Sequence, residues 1–307
     1  MVKQATAVKS NSVQMFNDYY QVCERCSSTG DYDPFLPMLW YLERDMAPEE
    51  ALWYSCLFIA YYNPGSAWLA FSSCKSILRM PSVWKLPMES ARRSLYGGKI
   101  RGHISYLIEA ARKAGGLRRF FTRGFGQDPK ENWAILQNNI RQLPGCGRWV
   151  GYIFGGILRK VHGFPVCQPD MGNQGSSGPK NGLILLTGES TDAAADKLLK
   201  KTLKHITVHW WEHRHVPEPE YDYGVQESTT CDFNSMNKGR YYIGRDIDRD
   251  QYRIRRAEKA TGTRLRSLWT ARRLVFPPQY LGELNGWEGI DKERLKVYVQ
   301  TGEVVDR

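Results

Sequence analysis

The chain has 307 residues, of which 42% are hydrophobic, 12% aromatic and 24% charged, a balance that fits a folded globular protein and excludes a disordered or fibrous one. Its formal net charge of +11 points to a polyanionic partner. The seven cysteines (Cys23, Cys26, Cys56, Cys74, Cys146, Cys167 and Cys231) are odd in number and irregular in spacing, which excludes a secreted disulfide framework. No apolar run is long enough for a membrane span and no signal-peptide core is visible, so the chain reads as soluble and intracellular, with no membrane partner.

In chain order, Pro34 after Asp33 and Pro48 before Glu49-Glu50 read as helix starts, with proline in the first turn and acid near the positive end of the dipole. Helices are predicted over 34–46, 48–62 and 65–79. The second is nearly all apolar between Ala51 and Tyr62 and should be buried on most sides. Further helices are predicted at 89–96, 102–114, 130–142, 149–161 and, capped by Thr191, at about 192–213. Gly172 to Gly182 has the composition of a mobile loop. From Glu218 the periodicity loosens. The expected fold class is mainly α, with a less regular C-terminal extension.

The positive charge is segmental. Lys85 to Arg123 holds 10 Lys/Arg against 2 Asp/Glu, and Lys238 to Arg273 holds 12 against 4, so each is +8 and the rest of the chain is −5. Two such stretches could line a phosphate backbone, although solvated helical faces give the same composition.

Leu143-Pro144-Gly145-Cys146-Gly147-Arg148-Trp149 lies between two helical patterns. Gly145 and Gly147 let the backbone turn sharply, and the N–H groups that begin the next helix can meet a DNA phosphate. A turn joining two core helices would read the same. The helix from Trp149 ends at Gly163-Phe164-Pro165, and five residues after that proline comes Asp170. This order resembles the helix-hairpin-helix superfamily of DNA base-excision glycosylases over residues 130–171.

The resemblance implies a two-lobed helical fold. One lobe would be 30–163 with the hairpin at 143–149, and a second would combine 1–29 with 164–225. The active-site cleft lies between them, followed by a basic C-terminal extension at 226–307. It also implies DNA binding by Gly145, Gly147, Arg148 and Trp149, base flipping, and Asp170 as the catalytic carboxylate. Two departures narrow the activity. The lysine that strand-cleaving members carry after the second hairpin glycine is replaced by Trp149, so Schiff-base chemistry is not expected. Only Cys231 follows Asp170, so no iron–sulfur cluster is expected.

Asp31-Tyr32-Asp33-Pro34-Phe35, Tyr41-Leu42-Glu43-Arg44, Ala60-Tyr61-Tyr62-Asn63, Thr230-Cys231-Asp232-Phe233 and the stretch from Gly239 to Asp246 resemble the bacteriophage branch of that superfamily. Those are the alpha-glutamyl/putrescinyl thymine pyrophosphorylases, which include amino acid:DNA transferases. The resemblance implies hypermodification of thymidine in double-stranded DNA in the cytoplasm of an infected bacterial host. Pyrophosphate would be displaced from pyrophosphorylated 5-hydroxymethyluracil by the amino group of a free amino acid, glycine being favoured. The departing pyrophosphate needs cations, for which Arg92, Arg93, Lys99 and Arg101, or Lys238, Arg240 and Arg245, are candidates. Arg44, Tyr62 and Asn63 are candidates for substrate contact, with structural roles as their alternatives. Asp170 would take the ammonium proton or steady an electron-poor methylene.

No cofactor is required by this reading, although a monovalent cation at the hairpin would suit the resemblance and a divalent ion is left open. No metal site is expected. His205, His209 and His213 recur at zinc-like spacing but read more simply as residues near a helix C-terminus, and Cys23 and Cys26 as core thiols. The alternatives to transfer are a monofunctional DNA glycosylase and a non-catalytic helix-hairpin-helix DNA-binding protein.

Overall fold

The computed structural model describes residues 12–75, 79–80, 86–89, 99–172, 175–206 and 223–307. Fourteen α-helices run through them: α1 (Ser12–Thr29), α2 (Phe35–Glu43), α3 (Pro48–Tyr61), α4 (Pro64–Ser73), α5 (Lys99–Ala114), α6 (Leu117–Phe121), α7 (Pro129–Arg141), α8 (Arg148–Lys160), α9 (Ser177–Thr187), α10 (Asp192–Thr202), α11 (Tyr223–Met236), α12 (Arg245–Thr261), α13 (Arg266–Val275) and α14 (Arg294–Thr301). The described residues contain no strand, only isolated bridges. The chain is mainly helical, as its periodicity predicts, and none of these helices is long and apolar enough to cross a membrane.

The starts of several helices follow from local chemistry. Pro48, Pro64 and Pro129 open α3, α4 and α7, where a missing N–H costs nothing. Asn63 Oδ1 accepts the Ser66 N–H at 3.0 Å, Asp128 Oδ1 that of Lys130 at 2.8 Å and Thr191 Oγ1 that of Ala194 at 3.2 Å. Every residue of α3 from Ala51 to Tyr61 is buried, so this helix forms the centre of the main core, and α2, α4, α5, α6 and α8 pack around it. Between α7 and α8 the turn at Gly145 has φ 80°, a left-handed conformation that favours glycine. Gly155 on α8 faces the Trp133 ring on α7 so closely that a Cβ there would lie 2.6 Å from it, which makes this pair a tight one.

Some predicted boundaries shift. The helix expected at 65–79 stops at Ser73, where Cys74 turns to extended backbone. The one expected at 192–213 ends at Thr202 with a short 3-10 turn to His205, and its remainder lies outside the described residues, as does nearly all of 89–96. The glycine-rich segment read as a loop contains the start of α9. There Gly178 and Gly182 lie directly against Cys231 and Thr230 of α11, so these glycines serve helix contact. Helix α11 runs across position 226, and the stretch expected to be less regular carries α12, α13 and α14. Ile247, Ile254 and Ala257 on α12 pack with Leu265, Leu268, Phe276 and Tyr280, and with Met38 from α2, as a second core.

One buried carboxylate fixes α12 to the start of α2. Asp31 is 0% exposed, and four donors face it from a stretch more than 200 residues away. Oδ2 accepts from Gly244 N at 2.7 Å and from the Tyr241 hydroxyl; Oδ1 accepts from Asp246 N at 3.1 Å and Ile247 N at 3.0 Å. It thus satisfies N–H groups that a helix start otherwise leaves open, at the positive end of the α12 dipole. Burial, helped by the neighbouring charge of Asp246, raises its pKa, and these donors oppose the rise. Gly244, at φ 91°, lets the chain turn into α12 against the ring of Tyr280.

Asp31→Asn should cost about 2–4 kcal/mol of unfolding free energy, because one amide NH₂ would then face backbone donors in a buried site. Tyr241→Phe, which removes one donor of the four, should cost only about 1 kcal/mol. Urea midpoints of the two variants check the order.

Candidate active site

Beside this junction lies a cavity of about 430 Å³. The turn before α2 contributes Tyr32, Asp33 and Phe35, and the end of α3 contributes Tyr62. Trp149 and Ile153 come from the first turns of α8, and Glu227, Cys231 and Asp232 from α11. The opposite wall is the first half of α12, with Arg245, Asp246, Arg249, Asp250 and Arg253. Tyr62 is one of two non-glycine residues with positive φ among the described residues, at 48°, an uncommon conformation that marks functional positions more often than others. Its ring meets that of Trp149 edge to face at 5.0 Å, and the Arg253 guanidinium lies 5.2 Å over it.

Charges of both signs line this space. Arg253 pairs with Asp250 at 2.8 Å and Glu89 at 3.4 Å; Arg249 pairs with Glu89 at 3.3 Å, and Arg245 with Asp246 at 3.0 Å. Two buried atoms have no protein partner, Asp250 Oδ2 and Arg245 Nε, so the wall retains hydrogen-bonding capacity of both kinds. Arg240 stands exposed at the rim. Burial pushes the Asp33 carboxyl up to about 7, against the Phe35 N–H and the charge of Lys160. Burial likewise takes Asp250 to about 7 despite Arg253 and Arg272, and raises Asp232 with help from Asp246 and Asp31. Carboxyls poised near neutrality can exchange protons with a bound amine.

Of the residues singled out from sequence, Tyr62, Trp149, Arg240 and Arg245 meet at this cavity. Asp170 stands on a neighbouring flank of α8. Its Oδ1 accepts the Gly172 N–H at 2.6 Å, and the same turn is tied to α8 by Arg148, whose Nη1 donates to Gly172 O at 3.2 Å. Gly147 precedes α8, and a Cβ built there would have nothing within 4 Å, so its surface is open to close approach.

Asn63 is buried and uses both ends of its amide structurally, capping α4 and donating to Arg253 O at 3.3 Å. Arg44 lies elsewhere, over the Tyr41 ring at 4.2 Å and beside Asp45 at 3.2 Å. Lys99, Arg101 and Lys238 are exposed and do not line the cavity. Arg92 and Arg93 lie outside the described residues.

His205 bonds Glu24 at 2.5 Å and stacks on Tyr20 at 4.2 Å, a packing role; His209 and His213 lie outside the described residues. Cys23 and Cys26 are buried thiols of α1 that face Thr229 and Tyr241. Among the described residues no group of three or more His, Cys, Asp or Glu side chains is arranged to hold a metal ion. The hairpin carbonyls of Leu143 and Pro144 pair with Cys146 N at 3.1 Å and the His103 ring at 2.8 Å.

Asp33, Glu89, Asp232, Asp246, Arg249, Asp250 and Arg253 were not among the residues expected to act. A signal for four of these positions is present beside Arg245. Arg245-Asp246, Arg249-Asp250 and Arg253 repeat at four-residue steps, which sets a basic row beside an acidic row on one helix. Asp33 and Asp232 lie inside motifs that carried the resemblance, with no local feature to separate them from other loop or helix aspartates.

A search of curated proteins found no match. The family model described as amino acid:DNA transferase matches residues 27–242, a span that holds the hairpin, Asp170 and the cavity walls from α2, α3, α8 and α11. The chain belongs to the amino acid:DNA transferase family.

Proposed function

We propose that this transferase displaces pyrophosphate from pyrophosphorylated 5-hydroxymethyluracil in double-stranded DNA with the amino group of a free amino acid, glycine favoured, in the cytoplasm of a phage-infected bacterium. The observation that carries the reading is the mixed-charge cavity with its unpartnered Asp250 Oδ2 and Arg245 Nε beside the Tyr62–Trp149 pair. Adjacent acid and arginine suit the ammonium and carboxylate of an amino acid, and the aromatic pair suits a flipped base. A space of about 430 Å³ shared by both favours a small donor.

In the proposed reaction Asp33 takes a proton from the ammonium. The freed nitrogen lone pair attacks the exocyclic methylene, the carbon–oxygen bond breaks, and pyrophosphate leaves with the electron pair; the second ammonium proton goes to solvent. Arg240 and Arg245 hold the donor's carboxylate or the leaving phosphate oxygens. Gly147 and Arg148 meet the DNA backbone in a helix-hairpin-helix manner, with Asp170 beside them on the adjoining flank of α8, outside the cavity.

Duplex DNA bearing the pyrophosphorylated base, incubated with the twenty amino acids, should yield a nucleoside heavier than 5-hydroxymethyldeoxyuridine by one amino acid less water, with Asp33→Asn as the control of much reduced activity. Nucleoside mass spectrometry reads this directly. Free base with abasic DNA would mean a glycosylase, and bound but unchanged DNA would mean a binding protein.

Arg240 is exposed and holds no side chain in place, so Arg240→Ala should fold normally yet lose about 10- to 100-fold in kcat/KM, the worth of a charge-assisted contact. Steady-state kinetics with donor and DNA varied in turn shows which substrate it serves.

Asp33 gives a pH signature of either sign for activity and stability. As a base it must be ionised, so kcat should rise with pH through about 7, and Asp33→Asn should abolish that limb with a loss of about 10²–10⁴-fold. For stability the folded chain keeps a proton that the unfolded chain has released above about pH 4. Stability should therefore fall as pH rises from about 4 to about 7, and Asp33→Asn should flatten part of that fall in urea unfolding at several pH values.

A further inference from the structure

Helix α12 leads from the catalytic cavity to a second, separate concavity where it turns into α13. This open cleft of about 970 Å³ is lined by Arg255 and Lys259 of α12, Arg264 of the connecting turn, and Arg266 and Arg273 of α13. All five side chains are exposed, and none has an acidic partner among the described residues. The acid in the cleft, Glu258, is committed to the protein, since its Oε1 accepts the Leu265 N–H at 2.7 Å and the Trp269 indole N–H at 2.9 Å. The floor is Trp269, and Gly262 at the corner leaves its surface open. Five exposed cations against the one carboxylate of Glu258 on a single concave surface form an electrostatic site for a polyanion. The family match ends at Tyr242, so this surface lies wholly outside it.

We propose that the α12–α13 cleft is an auxiliary binding surface for the phosphate backbone of duplex DNA, which holds the strand flanking the base presented to the cavity. It rests on the family's action on DNA but not on the pyrophosphate chemistry. Its placement on α12 supports the assignment. The ten residues from Arg249 at the cavity to Lys259 in the cleft advance about 15 Å along the helix, which corresponds to about four to five base pairs of duplex. The cations contact phosphates and read no bases, so the cleft adds affinity and register without sequence preference.

The test is binding of the full chain to a fluorescein-labelled, unmodified 25-base-pair duplex, followed by anisotropy over a range of salt. Arg264→Ala/Arg266→Ala/Arg273→Ala should weaken binding at least roughly tenfold at physiological salt and reduce the slope of log K against log salt by about 0.9 for each phosphate no longer engaged. Arg255→Ala/Lys259→Ala, made on the other wall, should act in the same direction, and circular dichroism should show both variants folded. A duplex too short to extend past the cavity should bind variants and wild type alike. Unchanged affinity and slope in both folded variants would overturn the proposal. So would variants that lose binding to polyglutamate or anionic phosphatidylserine vesicles but keep it for DNA. Because no modified base is used, failure of the transfer chemistry would leave this result interpretable.

Discussion

The cavity exists because a carboxylate near the start of the chain ends the search of a helix that begins more than 200 residues later. Asp31 takes four donors from the stretch Tyr241 to Ile247 and so decides where α12 starts and which way it points. Once it is set, Arg245, Asp246, Arg249, Asp250 and Arg253 face Asp33, Tyr62 and Asp232. Gathering acids in a buried place is unfavourable, and the raised pKa values of Asp33, Asp232 and Asp250 are the measure of it. The arginines of α12 offset that repulsion. Burial, helped by that repulsion, keeps protons on carboxyls at a pH where free aspartates have lost them, which is the property an amine-handling site needs.

Helix α8 shows how one element serves several neighbours at once. Its glycines at 151 and 155 close on Gln137 and Trp133 of α7, while Trp149 and Ile153 face the cavity. Arg148 and Tyr152 hold the turn that carries Asp170. The hairpin at 143–147 sets the first turn of this helix, so a change in the hairpin moves the open Gly147, the cavity's indole and the Asp170 turn together.

Much of the helical framework was legible because its signals are local. Proline at a first turn, Asp128 and Thr191 as caps, and the unbroken apolar run of α3 each act within a few residues. Tyr62, Trp149, Arg240 and Arg245 were legible as site candidates through motifs, and they meet at one cavity. What was not legible depends on distant partners. The glycines of α9 look like a loop until Cys231 and Thr230 are placed against them. Asn63 is open between substrate contact and a structural role until α12 gives its amide a carbonyl to meet. Asp33 and Asp250 are ordinary aspartates in the sequence and become poised only through burial that the whole fold supplies.

The match to the family stops at Tyr242, yet three of the four donors that hold Asp31 follow it, and so does the basic and acidic wall of α12. Residues beyond 242 are therefore part of the site's construction and not an appendage to it. The charge balance of that wall has a chemical consequence. Six carboxyls and four arginines line the cavity, and with protons held on Asp33 and Asp250 the wall offers groups for both ends of an amino acid, while Arg240 is exposed at the rim. On the proposed chemistry Asp33 receives the ammonium inside, and the exposed Arg240 meets the pyrophosphate at the rim. The leaving group then departs toward solvent without crossing the donor, and a carboxyl that has accepted the proton no longer repels it.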